Sequence, residues 1–254
     1  MTSDIFDKIK GLVHKYPVPS HFDASCADNR ELARYGLPER PDRDAEPELF
    51  AFWELMLGSG TEVIAPLFPW DPLVERRVLR QRQSPLPRQG FSHRETSENW
   101  SGAYITPLPR PNRFFHAMGS WSAPRTWRPI IPPRGVGPGE EYRSSTWVGI
   151  GGERSYNSMP QIGTSQNICS DGGGPAEPPV AWWQWWIKGR KGHDVPIPIE
   201  NFEVCEDDKI LASLTVEAPT PGDVRFNLKN QRTGKIVAFK VRAPADILPL
   251  GGVR

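Results

Sequence analysis

Cysteine is scarce in this 254-residue chain, which has only Cys26, Cys169 and Cys205. Three scattered thiols cannot build a disulfide framework. A Cys169–Cys205 bond and free thiols in a reducing compartment both fit the sequence, with free thiols the expectation. Long apolar runs are missing as well. No stretch of about 18 apolar residues is present to cross a membrane, and no apolar leader with a small-residue cleavage site opens the chain. These absences predict a soluble, cytoplasmic protein without a membrane partner. Charge of one sign is also lacking: 31 Lys and Arg against 30 Asp and Glu give a net charge of +1. That removes the electrostatic argument for a nucleic-acid partner. Several catalytic signatures are absent, namely the G-x-S-x-G elbow, H-E-x-x-H and C-x-x-C. The histidines (His14, His21, His93, His116, His193) show no ligand spacing. Gly149-Ile150-Gly151 begins like a dinucleotide fingerprint, but Arg154 stands where its third glycine should be. No cofactor and no metal are expected. The weak exception is Asp171 with Gly172-Gly173-Gly174, a flexible loop able to accept a cation.

What the chain does have is turn-formers. Its 28 Pro and 23 Gly make up about a fifth of the residues, against ~12% in average usage. This favours short strands over a helical bundle. The first 97 residues read as a helical, Pro-rich extension. Ile5, Phe6, Ile9, Leu12 and Val13 share one face of a helix predicted over residues 4–16, although Gly11 weakens it. Pro47 suits a first helical position, with Leu49, Phe50, Trp53 and Leu57 at helical spacing. Another helix is predicted to start at Asp71-Pro72. The six arginines between Arg76 and Arg94, with no acid among them, read as a solvated face and linker.

After residue 98 the periodicity becomes two. Residues 99–106, 114–123 and 145–150 read as strands, and the proline-rich loop over 125–140 cannot be helix interior. Ile210, Ala212, Leu214 and Val216 alternate with polar positions as in a half-buried strand. Val224, Phe226 and Leu228 repeat this pattern, as do Val237, Phe239 and Val241. Between the last two runs Gly234 is the natural left-handed turn residue. The pattern predicts an all-β, two-sheet antiparallel sandwich over residues 98–254.

The densest aromatic run is Trp182-Trp183-Gln184-Trp185-Trp186. If extended, it turns Trp182, Gln184 and Trp186 one way and Trp183 and Trp185 the other. Both faces must then be covered, or one must line a groove. One reading is a sandwich core backed by a protein contact; the other is a cleft floored by aromatic rings with Gln184 as its polar handle.

The segments Asn99-Trp100-Ser101-Gly102-Ala103, Gly119-Ser120-Trp121-Ser122, Trp147-Val148-Gly149-Ile150, Pro160-Gln161-Ile162-Gly163 and Ala181-Trp182-Trp183-Gln184-Trp185-Trp186 occur in a fixed order. This order resembles the glutamic peptidases, the eqolisin family of acid endopeptidases first known from fungi and also found in bacteria. The similarity covers residues 98 to about 242. It implies a concanavalin A-like jelly roll, a peptide or protein substrate lying in a groove on one sheet, and a catalytic Gln–Glu pair. It also makes secretion an alternative to the cytoplasm. Gln161 matches the family's catalytic Gln. Trp147, Trp183, Gln184, Trp185 and Trp100 are the expected substrate-binding residues. Two positions depart from the pattern: Gln184 replaces a groove acid, and Gly151 replaces an Asp. The family's catalytic Glu follows the hairpin matched by residues 224–241. There the only acid is Asp246, which does not fit, so the sandwich is expected to be incomplete at its C-terminal end. Non-catalytic binding of peptide or carbohydrate in a Trp-lined groove is the alternative function.

Overall fold

Alternation of apolar and polar residues drives the chain beyond residue 114 into strands, because only a pleated backbone sends every second side chain to one core. The computed structural model describes residues 7–70, 102–103, 114–126, 141–151, 158–169, 178–190, 192–193, 195–217 and 222–244. In chain order the elements are β1 (Val13–Lys15), α1 (Asn29–Arg34), α2 (Pro47–Leu57), β2 (Glu62–Ile64), β3 (His116–Ser122), β4 (Glu141–Gly149), β5 (Ser158–Cys169), β6 (Val180–Ile187), β7 (Ile197–Glu203), β8 (Lys209–Val216), β9 (Val224–Asn230) and β10 (Lys235–Val241). They form two sheets. One has four strands in the order β4-β5-β6-β7; the other has six, β1-β10-β9-β8-β3 with β2 also on β10. Pairing is antiparallel except between β2 and β10.

The core lies between the sheets. Ile162, Trp183, Trp185, Ile197 and Ile199 face Ile210, Ala212, Leu214, Phe226, Leu228, Val237 and Phe239 across it. Its centre is aromatic. Phe226 and Phe239 stack at 5.0 Å, and Trp183 meets them at 5.7 and 5.5 Å. Such pairs contribute about 0.5–1.5 kcal/mol each beyond area burial. Gly234, with φ 69°, makes the β9–β10 turn as expected. A second polar tie joins this turn to the one before β8. Asp208 accepts from Arg232 Nε at 2.6 Å, Asn230 Nδ2 at 2.7 Å and the Cys205 amide at 2.7 Å. Burial opposes the charge on Asp208, yet these hydrogen bonds hold its carboxyl below the usual range. Cys26 and Cys205 are free thiols.

The first third of the chain is woven into this sandwich. β1 and β2 lie end to end along one edge of β10, on residues 239–241 and 235–237 respectively, which covers an otherwise open edge. The helix expected over 4–16 gives way after residue 10, and Val13–Lys15 is strand instead. Edge pairing with β10 outweighs local helical periodicity there. α1 is capped by Asp28 in a capping box with Glu31, and α2 starts on Pro47 as predicted. Leu32, Leu37, Trp53, Met56 and Leu57 then pack on Leu211, Ile236 and Ala238, the outward residues of the six-stranded sheet. β8 is consequently buried on both faces rather than half-buried. Phe68 enters the main core, 5.1 Å from Phe239 and 5.7 Å from Trp183. Leu67 exchanges hydrogen bonds with Glu200 and Asn201 of β7. The helix predicted from Asp71 and the Gly172–Gly174 loop lie outside the described residues, as does the strand predicted over 99–106 apart from residues 102–103, which are not in a strand. Among the described residues no helix is long and apolar enough to cross a membrane.

Candidate active site

β5 runs between β4 and β6, so its outward side chains have neighbours on both sides. Register puts Gly149, Gln161 and Gln184 in one row, and Trp147, Gly163 and Trp182 in the next. Ile162, between the rows, points into the core, so both rows belong to the outer face. Gly163 is required by close approach. A Cβ there would lie 2.2 Å from the Thr146 carbonyl oxygen and 2.6 Å from Trp147 Cβ. Trp147 therefore sits over a bare stretch of β5.

The chemistry of this face is an amide pair. Gln161 Nε2 donates to Gln184 Oε1 at 2.6 Å, and Gln184 Nε2 donates to the His193 carbonyl at 2.9 Å. His193 Nδ1 in turn meets the Trp185 carbonyl at 2.9 Å. Gln161 and Gln184 are 0% and 1% exposed, so the pair is sealed from solvent. Three further polar atoms nearby have no hydrogen-bond partner among the described residues: Ser145 Oγ, Ser165 Oγ and Trp182 Nε1. Ser145 and Ser165 face each other across β4 and β5, one row beyond Trp147. Among the described residues no His/Cys/Asp/Glu cluster suits a metal.

Of the residues picked out in the sequence, Gln161, Gln184 and Trp147 come together on this face, with Trp147 half-buried. Trp183 and Trp185 do not. Both lie on the opposite side of β6, in the core, with Trp183 against Phe68, Phe226 and Phe239. Their assignment as groove lining is corrected by the alternation of the strand itself. Gln184 marks the outer face, and its neighbours of like parity are Trp182 and Trp186. That signal was in the sequence, and it points to Trp182 rather than Trp183. Trp100 lies outside the described residues. The placement of Ser145, Ser165 and His193 around this pair has no sequence signature, since it arises from register and loop position.

The fold is a two-sheet, mainly antiparallel sandwich, and its candidate site is the Gln161–Gln184 pair on the outer face of the smaller sheet. A sequence model of the Peptidase A4 family, the glutamic peptidases, matches residues 98–252, well over half of the chain, and the chain belongs to that family. Aspergillopepsin-2 of Aspergillus niger is 25% identical over 179 residues, covering 66% of this chain and 55% of that protein. Two structures of scytalido-glutamic peptidase with transition-state analogues are similar at 20% and 19% identity, each with a TM-score of 0.38. The matches cover 53% and 55% of both chains. This chain thus spans about half the length of the relatives it matches.

Proposed function

We propose that this glutamic-peptidase-family chain takes an extended peptide along the outer face of the four-stranded sheet, with Gln161 as its catalytic amide. The observation that carries the reading is the Gln161–Gln184 pair in register beside Trp147. An amide N–H suits a developing oxyanion, and the amide carbonyl can orient the attacking water. Proton removal needs a carboxylate, because an amide cannot perform it. Glu217 is unsuited to that task, being paired with Arg225 and Lys240 on the other sheet. Asp246 lies outside the described residues. Were no carboxylate to reach Gln161, turnover would fall ~10²–10⁴-fold, and the face would bind peptide rather than cut it.

The unpartnered Ser145, Ser165 and Trp182 donors favour peptide over carbohydrate. A buried donor without a partner costs about 1–3 kcal/mol, and an extended peptide presents carbonyls at regular spacing along a strand. The test joins acid digestion of an unfolded protein substrate with calorimetric titration of short peptides and oligosaccharides. Peptide binding lost in both Gln161→Ala and Trp147→Ala is the expected result. Oligosaccharide binding that survives Gln161→Ala, with no peptide bound, would replace this reading with a lectin-like one.

A further inference from the structure

Glycine inside a strand gives up side-chain packing, so it marks a bend or a close approach. The outer face around Gln161 has two, Gly149 on β4 and Gly163 on β5. Neither has a φ in the left-handed region, so neither is glycine for the sake of its backbone. Space is the remaining reason, and Trp147 takes part at both positions. At Gly163 a side chain would run into the Thr146 carbonyl oxygen and the root of Trp147. Gly149 is approached by the far end of the same side chain. A Cβ at 149 would lie 3.2 Å from Trp147 Cζ3, 3.3 Å from Gln161 Cβ and 3.1 Å from the Pro160 carbonyl oxygen.

These contacts define how the indole lies. Its root stands beside Gly163, and its six-membered ring reaches the next outward residue of β4, which is Gly149. The Ile150 amide donates to the Pro160 carbonyl at 3.2 Å. That makes Ile150–Pro160 a hydrogen-bonded pair and Gly149–Gln161 a non-hydrogen-bonded one, the kind in which facing side chains lie closer. A ring resting on Gly149 is therefore next to the stem of Gln161.

We propose that Gly149 is a positioning residue whose missing side chain seats the Trp147 indole against the stem of Gln161 and so sets the distance between ring and amide. Its bearing on peptide binding rests on the function proposed above; the seating of the ring does not. A methyl group at 149 would press on the ring, on Gln161 and on the Pro160 carbonyl together. Pro160 and Gln161 belong to β5, which is paired on both sides. Trp147 is half-buried and stands on β4, the last strand in the order of its sheet. The ring is the part that gives way.

The experiment uses the full 254-residue chain grown with 6-fluorotryptophan, which leaves Cζ3 unsubstituted. The Trp147 resonance is identified by its loss in Trp147→Leu. In Gly149→Ala this resonance should move, and Tm should fall by roughly 2–8 °C. In a Trp147→Leu background, where the shorter side chain cannot reach Gly149, the same substitution should cost less than half as much. Calorimetric titration with a peptide bound by the parent should show affinity lower by roughly 2- to 10-fold in Gly149→Ala. An unmoved Trp147 resonance, or equal Tm losses in the two backgrounds, would overturn the proposal. Unchanged affinity with a displaced ring would overturn it too, since ring position would then not matter to the peptide. Should Gly149→Ala fail to fold, the double variant decides: a cooperative transition regained with Trp147→Leu supports the seat, and none overturns it. The fluorine shift and the Tm comparison need no peptide. If both appear and the parent binds no peptide, the peptide reading falls and the seating of the ring stands. If the parent binds peptide and neither appears, the peptide reading stands and the positioning role falls.

Discussion

The outer faces of the two sheets are finished in different ways. On the six-stranded sheet, the outward residues of β9 each give a donor to the chain's own first third. Arg225 Nη1 reaches the Leu37 carbonyl at 3.2 Å, Asn227 Nδ2 the Gly36 carbonyl at 3.0 Å, and Lys229 Nζ the Thr61 hydroxyl at 2.6 Å. Apolar residues between them, Leu211, Ile236 and Ala238, lie under α1 and α2. On the four-stranded sheet the buried amides bond to each other and to a loop carbonyl, while Ser145, Ser165 and Trp182 keep donors without partners. Native structures rarely leave such groups unpaired. Arg225 Nε on the first face also lacks a hydrogen bond, although it pairs with Glu217 at 3.3 Å. The faces therefore differ in their cover: the first is closed by the chain's own first third, while on the second these donors are without partners among the described residues.

The sharpest way to break the comparison is to remove the first face's cover. A chain beginning after residue 70 loses β1, β2, both helices and Phe68 at once. It would expose the apolar residues over which the helices pack and the edge of β10, a combination that promotes aggregation. The expected outcome is an insoluble product, or one without cooperative thermal unfolding by circular dichroism. A soluble, cooperatively folding remainder would show that the cover is a dispensable appendage.

Next in size is a pair of tryptophans that the sequence did not separate. Trp183→Ala should cost about 3–5 kcal/mol in urea unfolding, since its ring fills the space among Phe68, Phe226 and Phe239. Trp147→Ala removes a half-buried ring from the outer face and should cost roughly 1–2 kcal/mol. Equal losses would undo the assignment of the two rings to different faces.

This pair also shows where sequence reading succeeds and where it stops. The strands of the two hairpin runs after residue 209 were legible, because period two survives whatever packs on either face. Gln161 and Gln184 were legible as candidates through the order of the segments around them. Aromatic density, however, misled the choice of rings. Trp183 and Trp185 bear the same side chain as Trp182, and only parity relative to Gln184 tells core from groove. The strand at Val13–Lys15 was hidden because its pairing partner, β10, lies over 200 residues away, beyond any local pattern. The same distance hid the role of the first third. The His193 carbonyl could not be read at all, since a backbone atom in a turn carries no mark in the sequence.

The smallest effect should come from Lys229→Met, which tests whether polar anchors or apolar burial hold the cover in place. Lys229 is 6% exposed and donates to Thr61 Oγ1, whose own hydroxyl bonds the Gly58 carbonyl. Burial lowers the pKa of its ammonium. A lysine whose folded pKa lies below the unfolded value of about 10.4 releases its proton more readily when folded. The unfolded state then binds more protons, so stability rises with pH between the two pKa values. At neutral pH the desolvation cost is therefore present in full and partly offsets the hydrogen bond. Methionine keeps an unbranched stem and removes the charge, and replacing a buried charge with an apolar group of similar volume is often near neutral. The variant should unfold within about 1 kcal/mol of the parent at pH 7. It should also lack the parent's gain in stability as pH is raised toward about 10. Urea midpoints at the two pH values measure both effects. A loss of more than about 3 kcal/mol at pH 7 would mean that the Lys229–Thr61 bond itself holds the cover, as breaking a required buried charge interaction does. The six-stranded sheet's outer face would then depend on polar contacts as much as the four-stranded one does.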